Sequence, residues 1–93
     1  MEKYKEGWHQ FLALCQDMKD EKKLSALFDL LLTPQEAESI AMRCLIIKEL
    51  LLQKRTQRDI AKKLKVSIAK ITRGSNEIKR LHSSFLSYLK EKI

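Results

Sequence analysis

Apolar residues recur along most of this chain at intervals of three and four, the spacing that places side chains on one face of an α-helix. The first stripe consists of Trp8, Phe11, Leu12, Cys15 and Met18. It predicts an amphipathic helix from about residue 4 to residue 20, with Trp8 in the core. The second stripe consists of Leu24, Leu27, Phe28 and Leu31. It predicts a short helix that stops before Pro34, because proline disfavours helical geometry in the residue before it.

A third helix is predicted to begin at Thr33. The run Thr33-Pro34-Gln35-Glu36 forms a capping box, with Thr33 at the N-cap, Pro34 at the first helical position and Glu36 reaching back to Thr33. Residues 44–52 of this helix are apolar on nearly every face, and a helix of that kind is buried on all sides. A chain of 93 residues can hardly bury it alone. The sequence therefore predicts an obligate homodimer with this helix at its centre.

The rest of the pattern is also helical, and one Pro and two Gly argue against tightly turned strands. Ser83 or Ser84 is in place to cap a last helix with its apolar face inward, comprising Phe85, Tyr88, Leu89 and Ile93. We therefore expect an all-α fold of about six helices in a single domain, residues 1–93. The predicted dimerisation core comprises residues 4–53 and 83–93.

Residues 56–80 contain two short predicted helices in quick succession. Thr56 caps the first, Asp59 lies near the positive end of its dipole, and Ser67 caps the second. The expected apolar core between them consists of Ile60, Ala61, Leu64, Val66, Ile71 and Ile78. This combination predicts a helix-turn-helix that reads DNA. Its turn has Lys65 where a left-handed glycine is usual, which would cost about 1 to 2 kcal/mol and leaves open a differently built turn.

The start of the second helix is expected to enter the major groove of double-stranded DNA through Ser67, Ile68, Ala69, Lys70 and Thr72. Apolar side chains there can contact thymine methyl groups, and Lys70 can donate to guanine or, alternatively, to a phosphate. The residues placed to bind the DNA backbone lie at or just before the first helix: Lys54, Arg55, Gln57 and Arg58.

The distribution of charge fits this interpretation. The net charge is +7, but residues 43–80 carry twelve basic and three acidic side chains, whereas residues 1–42 carry five basic and eight acidic ones. One basic block beside near-neutral segments is typical of a surface that binds a polyanion. A solvated lysine-rich face is the alternative interpretation of the charge alone.

Several other classes of function find no support in the sequence. No stretch approaches the roughly 20 apolar residues of a membrane span, so we expect a soluble, cytoplasmic protein without a membrane partner. Cys15 and Cys44 lie in apolar helical patterns, and the isolated His9 and His82 have no ligands at metal-binding spacing, so neither a disulfide nor a metal is expected. No nucleophile, base and orienting group occur together, so an enzyme is not expected.

Three segments of the chain resemble the tryptophan repressor family: LLLTPQEAESIAMRCLIIKELL, TQRDIAKKL and IAKITRGSNEIKR. The resemblance covers about residues 4–93, and ITRGSN is its most specific piece. It implies an intertwined, all-helical dimer that binds L-tryptophan as co-repressor. The liganded dimer would then bind an operator near genes of tryptophan biosynthesis or uptake.

The same resemblance implies a ligand site built around two arginines. Arg43 and Arg73 would sandwich the indole ring, and Arg73 would also meet the ligand carboxylate. Gly74 would let the ligand lie against its helix. The alternatives are that either arginine contacts phosphate and that Gly74 is a helix kink. A helix-interior glycine costs about 0.5 to 1 kcal/mol relative to alanine, so something should compensate for it.

The polar end of the ligand would be held by the partner's Thr33, together with the carbonyls of Leu30 and Leu32. Thr33 is also explained as an N-cap. Glu77 stands where the family has a serine beside the ligand's ammonium group. Its alternative role is an ion pair with Arg73, four residues earlier, which would contribute a few tenths of a kcal/mol.

Other positions also depart from the family pattern. Met42 replaces a phosphate-binding threonine, and Ala61, Ser67 and Lys70 differ within the DNA-reading helices. The resemblance therefore leaves the operator sequence and the ligand preference open. The competing hypothesis is a ligand-independent helix-turn-helix or an architectural protein that uses the basic block for nonspecific nucleic-acid contact. Sequence selectivity distinguishes the two.

Overall fold

The structure, a computed structural model, describes residues 2–93 and confirms the expected all-α fold, with no strand in that range. The six helices are α1 (Glu2–Asp17), α2 (Glu21–Leu31), α3 (Pro34–Leu52), α4 (Gln57–Leu64), α5 (Ile68–Lys79) and α6 (Ser83–Lys92). Two compact units are distinguished, and the boundary between Ala37 and Glu38 falls inside α3. We call them the N-terminal unit and the C-terminal unit and describe each by itself.

The N-terminal unit is held by aromatic and aliphatic contacts between α1 and α2. The rings of Trp8 and Phe11 are 5.3 Å apart, and those of Phe11 and Phe28 are 6.0 Å apart. Leu27 is the buried residue of α2. Trp8 is 50% exposed, so the prediction of a core tryptophan is wrong for the single chain. Helix α1 also ends earlier than predicted, at Asp17.

The capping box at the start of α3 is confirmed. The Thr33 amide donates to Glu36 Oε1 at 2.8 Å, and the Glu36 amide donates to Thr33 Oγ1 at 3.1 Å. Hydrogen bonding to the Glu36 carboxyl, from the Thr33 amide above all and then from the Thr33 side chain, lowers the pKa of that carboxyl. Two amides of the first turn are thus satisfied by local sequence, which fixes where α3 begins.

The core of the C-terminal unit consists of one isoleucine from each of α3, α4 and α5: Ile46, Ile60 and Ile71. Partly buried side chains pack against it, namely Met42, Leu50, Ala61, Leu64 and Val66. Ile60, Ala61, Leu64, Val66 and Ile71 thus pack together as the sequence predicted. Helices α4 and α5 make the most extensive contact between two helices in this unit.

The turn between α4 and α5 is built on a left-handed lysine. Lys65 has φ 57° and ψ 46°, so it takes the conformation in which a glycine is usual. The Val66 amide donates to the Ala61 carbonyl at 3.1 Å, which closes the end of α4. Thr56 caps α4 as predicted, accepting from the Asp59 amide at 3.1 Å. Ser67 is the N-cap of α5 but makes no side-chain capping bond, so that part of the prediction is wrong.

The last helix is capped by a histidine rather than by a serine. His82 is extended, and its Nδ1 accepts from the Ser84 amide at 3.2 Å. Ser83 already has helical geometry and is the first residue of α6, so it cannot serve as the N-cap. The predicted caps, Ser83 and Ser84, are therefore wrong by one or two positions.

Many large apolar side chains remain exposed in the single chain. In the N-terminal unit they are Tyr4, Trp8, Leu12, Leu30 and Leu31. In the C-terminal unit they are Ile40, Leu45, Leu52, Ile68, Phe85, Tyr88 and Ile93. Within residues 2–93, no helix combines the length and apolar character that crossing a membrane requires.

Candidate ligand cavity and nucleic-acid interface

A cavity of about 420 Å³ lies between α3 and α5 in the C-terminal unit. Helix α3 contributes Ser39, Met42, Arg43, Ile46 and Ile47, and helix α5 contributes Lys70, Arg73, Gly74 and Glu77. On both helices the spacing is three or four residues, so each contributes a single face. Four residues assigned to the ligand site by resemblance, Arg43, Arg73, Gly74 and Glu77, thus come together.

Gly74 is a point of close approach between α5 and α3. A Cβ added to Gly74 would lie 3.1 Å from Ile46 Cγ2, 3.3 Å from Leu50 Cδ1 and 3.6 Å from Ile47 Cδ1. The first two distances are shorter than ordinary van der Waals contacts. Absence of a side chain at this position therefore permits the helix contact as well as access to the cavity.

Basic side chains outnumber acidic ones around the cavity. Arg43, Lys70 and Arg73 supply three cations, and Glu77 supplies one carboxylate. The ion pair of Glu77 is with Arg80 at 3.5 Å, and both side chains are more than half exposed. The predicted alternative, a pair with Arg73, is not formed. A long, exposed pair is weak, so the Glu77 carboxylate stays available to a ligand.

Thr33, Leu30 and Leu32 belong to the N-terminal unit, whereas the cavity is lined by residues of the C-terminal unit. The Thr33 hydroxyl is engaged in the capping box. The Leu30 carbonyl has no amide four residues later to accept from, because residue 34 is proline. It is one of the unsatisfied carbonyls that a helix C-terminus presents.

The residues predicted to read DNA lie at the exposed start of α5. Ile68 is 47% exposed, and Ser67, Ala69 and Lys70 are exposed beside it. Thr72 is bonded across the helix pair instead: its hydroxyl donates to Gln57 Oε1 at 3.0 Å. Lys70 also lines the cavity, so this one side chain belongs to both candidate sites.

Of the residues predicted to bind the DNA backbone, Lys54 and Arg58 are exposed. Arg55 is exposed as well, but its Nη1 donates to Glu49 Oε1 at 3.1 Å. Gln57 is half-buried and accepts from Thr72. The structure thus leaves Lys54 and Arg58 free of side-chain bonds within residues 2–93, whereas Arg55 and Gln57 each have an intramolecular partner.

Glu49 is the functional candidate that the sequence analysis missed. It is 7% exposed, and its carboxylate accepts from Lys63 Nζ at 2.6 Å as well as from Arg55. The hydrogen bond from Lys63 is the main reason that the pKa of Glu49 is lowered, against the opposing effect of burial. A lone acid in the apolar run of residues 44–52 was the available signal, because a buried carboxylate requires a cationic partner.

Comparison with known proteins gives a consistent result. Residues 6–93 match the family described as Trp repressor protein. A protein of Chlamydia trachomatis serovar D named Trp operon repressor homolog is 48% identical over 94% of this chain and 93% of its own length. A protein of the same name in Chlamydia caviae is 48% identical over 90% of this chain and 83% of its own length. Another in Pasteurella multocida is 38% identical over 95% of this chain and 86% of its own length.

Proposed function

Because this chain belongs to the Trp repressor protein family, we propose that it represses transcription as a homodimer that binds operator DNA when L-tryptophan occupies the cavity between α3 and α5. Membership makes it a DNA-binding transcriptional repressor and not an enzyme. The ligand, the operator and the assembly are our proposals. The observation that carries them is the cavity itself, which brings Arg43, Arg73, Gly74 and Glu77 together on two helices.

The cavity suits a small zwitterion with an aromatic side chain. Its volume of about 420 Å³ falls within the range of small-molecule sites. Arg43 and Arg73 can hold an indole ring between guanidinium groups, since cations are attracted to aromatic faces. Arg73 also suits the carboxylate, and Glu77 the ammonium group. Gly74 lets the ligand lie close to the α5 backbone.

The proposed dimer would complete both the fold and the site. The exposed apolar residues on α1, α3 and α6 are more than a lone small domain normally presents to water. Burial between two subunits removes them from water. In that assembly the partner's Thr33 and the carbonyl of Leu30, which lacks an intrahelical amide partner, would meet the polar end of the ligand.

DNA would be bound by the helix-turn-helix, residues 56–80, in each subunit. The start of α5, with Ile68, Ala69 and Lys70, would read base edges in the major groove. Lys54 and Arg58 would bind phosphates. A two-fold symmetric dimer predicts a palindromic operator. The relatives are named Trp operon repressor homologs, which supports genes of tryptophan biosynthesis or uptake as the targets. A repressor of such genes acts where the chromosome is, in the cytoplasm.

The ligand would act by fixing the orientation of α5. Arg73 and Gly74 lie on α5, whereas Arg43 lies on α3, so a ligand that contacts all three joins the reading helix to the scaffold. A helix held at one angle can present its side chains to two half-sites at once. An unliganded cavity leaves that angle less restrained, and operator affinity is lower.

Calorimetric titration of the wild-type protein with L-tryptophan tests the ligand assignment. We expect one site per chain and loss of measurable binding in Arg73→Ala, with Lys54→Ala as a control that removes a cation outside the cavity. Sedimentation at low micromolar concentration should give about twice the 10.9 kDa chain mass. Absence of L-tryptophan binding by a folded dimer would refute the co-repressor role and favour a ligand-independent DNA-binding protein.

A further inference from the structure

Glu49 joins three parts of the C-terminal unit through one buried carboxylate. It lies near the end of α3, Arg55 lies in the connection to α4, and Lys63 lies in the last turn of α4. The two bonds are 3.1 Å from Arg55 Nη1 and 2.6 Å from Lys63 Nζ. Each carboxylate oxygen has its own cationic donor. We call this arrangement the Glu49 clasp.

Burial makes the clasp more than a surface ion pair. The Glu49 side chain is 9% exposed, whereas those of Arg55 and Lys63 are 42% and 46% exposed. A carboxylate withdrawn from water is strongly destabilising when it loses its partners. The chain between residues 49 and 63 is therefore held to the geometry that keeps both bonds, which fixes α4 against α3.

The clasp is one of several connections that orient the DNA-reading helices. Helices α4 and α5 pack on each other through Ile60 and Ile71, and Thr72 donates to Gln57 across the pair. Helix α5 contacts α3 at Gly74, beside the cavity. The clasp connects α4 to α3 with charge-assisted hydrogen bonds. Without it, the helix pair would be joined to α3 by apolar contacts alone, which are weakly directional.

We propose that Glu49 is a positioning residue for operator recognition: by binding Lys63 and Arg55 it fixes α4, and hence the packed pair α4 and α5, at the angle that base reading requires. This inference rests on the proposed function only in taking α5 as the reader of DNA. The Glu49 carboxylate also offsets part of the positive charge that Arg55 and Lys63 offer to phosphates. Both effects favour operator over other DNA.

The test compares Glu49→Gln with Glu38→Gln. Glu38 is an exposed carboxylate on the same helix, so both variants change the net charge equally. An operator is first selected from random duplexes with wild-type protein, and affinity for it and for a scrambled duplex is then measured. The temperature is one at which circular dichroism shows each variant folded. We expect Glu49→Gln to lower the operator-to-scrambled ratio by roughly fivefold or more, as the loss of one base contact would.

A second pair of variants covers the case in which Glu49→Gln does not fold. Lys63→Met removes the 2.6 Å bond but leaves Arg55, whereas Lys63→Arg retains a cation at the same place. Lys63→Met should lower the ratio, and Lys63→Arg should restore it. A ratio in Glu49→Gln that is indistinguishable from that of Glu38→Gln, or a ratio in Lys63→Met that is indistinguishable from that of Lys63→Arg, overturns the proposal.

The ratio of operator affinity to scrambled-duplex affinity can also distinguish a failure of this inference from a failure of the proposed co-repressor role. It is measured both without L-tryptophan and at saturation. A wild-type ratio that does not change with L-tryptophan contradicts the ligand role, yet the comparison of Glu49→Gln with Glu38→Gln still decides the role of the clasp. If the co-repressor role and the positioning role both hold, Glu49→Gln and Lys63→Met should also reduce the factor by which L-tryptophan raises operator affinity. We expect that reduction to be roughly two- to thirtyfold.

Discussion

Replacement of Gly74 by alanine sets two opposite effects against each other where α5 meets α3. A helix-interior glycine is less favourable than alanine by about 0.5 to 1 kcal/mol, so the change would be stabilising in open space. The added Cβ, however, would lie 3.1 Å from Ile46 Cγ2 and 3.3 Å from Leu50 Cδ1. Ile46 is 4% exposed and belongs to the apolar core, so its side chain has little room to move.

The magnitudes favour the steric effect. Overpacking of a core costs about 1 to 3 kcal/mol, which exceeds the helix-propensity gain of about 0.5 to 1 kcal/mol. We therefore expect Gly74→Ala to lose up to about 2.5 kcal/mol of unfolding free energy. Because Gly74 also lines the cavity, affinity for L-tryptophan should fall as well.

Gly7→Ala is the matched control. Gly7 lies inside α1, and a Cβ added there meets nothing within 4 Å. This variant should gain about 0.5 to 1 kcal/mol and bind ligand as the wild type does. Urea unfolding at one fixed protein concentration measures the stabilities, and calorimetry measures ligand binding. If Gly74→Ala gains as much stability as Gly7→Ala and still binds ligand normally, the argued close approach of α5 to α3 is refuted.

Three further outcomes follow from single residues. Lys65→Gly should raise the unfolding free energy by up to about 1 kcal/mol, since it removes the cost of a left-handed lysine but frees the unfolded chain; an unchanged urea midpoint would contradict this. The pKa values of Glu36 and Glu49 are lowered in the folded state, so their stabilisation is present above the ordinary value of 4.5 and lost as pH falls through the lowered values. Urea unfolding between pH 6 and pH 3 should show that loss, reduced in Glu49→Gln; an identical pH profile would count against the clasp. Glu77→Gln should weaken L-tryptophan binding more than binding of an amine-free indole acid, and an unchanged preference in calorimetry would exclude ammonium recognition by Glu77.

Local interactions explain why much of the fold could be predicted. The capping box at Thr33 and the N-cap bond at Thr56 involve residues three apart, so the sequence specifies both donor and acceptor. The core of Ile60 and Ile71 follows from helical spacing on two neighbouring segments. The cavity could be inferred only through family resemblance, although the three- and four-residue spacing of its lining residues is visible once the two helices are known to face each other.

What could not be predicted depends on distant contacts or on competing local choices. Glu49 and Lys63 are 14 residues apart, and only the folded path of α3 and α4 shows that they meet. His82 takes the capping position that was expected for a serine, because the helix begins one residue earlier than a Ser83 cap requires and two earlier than a Ser84 cap requires. Trp8 is on the apolar face of α1, as its spacing indicates, but the single chain covers that face only in part and leaves Trp8 half exposed.

Operator affinity measured with and without L-tryptophan is the most direct test of a ligand-gated repressor. By linkage, the factor by which L-tryptophan raises operator affinity must equal the factor by which operator raises affinity for L-tryptophan. We expect the same factor, about 5 to 150, from both titrations, and we expect Arg73→Ala to lose it. Equal operator affinity with and without saturating L-tryptophan, in a wild-type dimer that binds its operator selectively, would contradict this expectation.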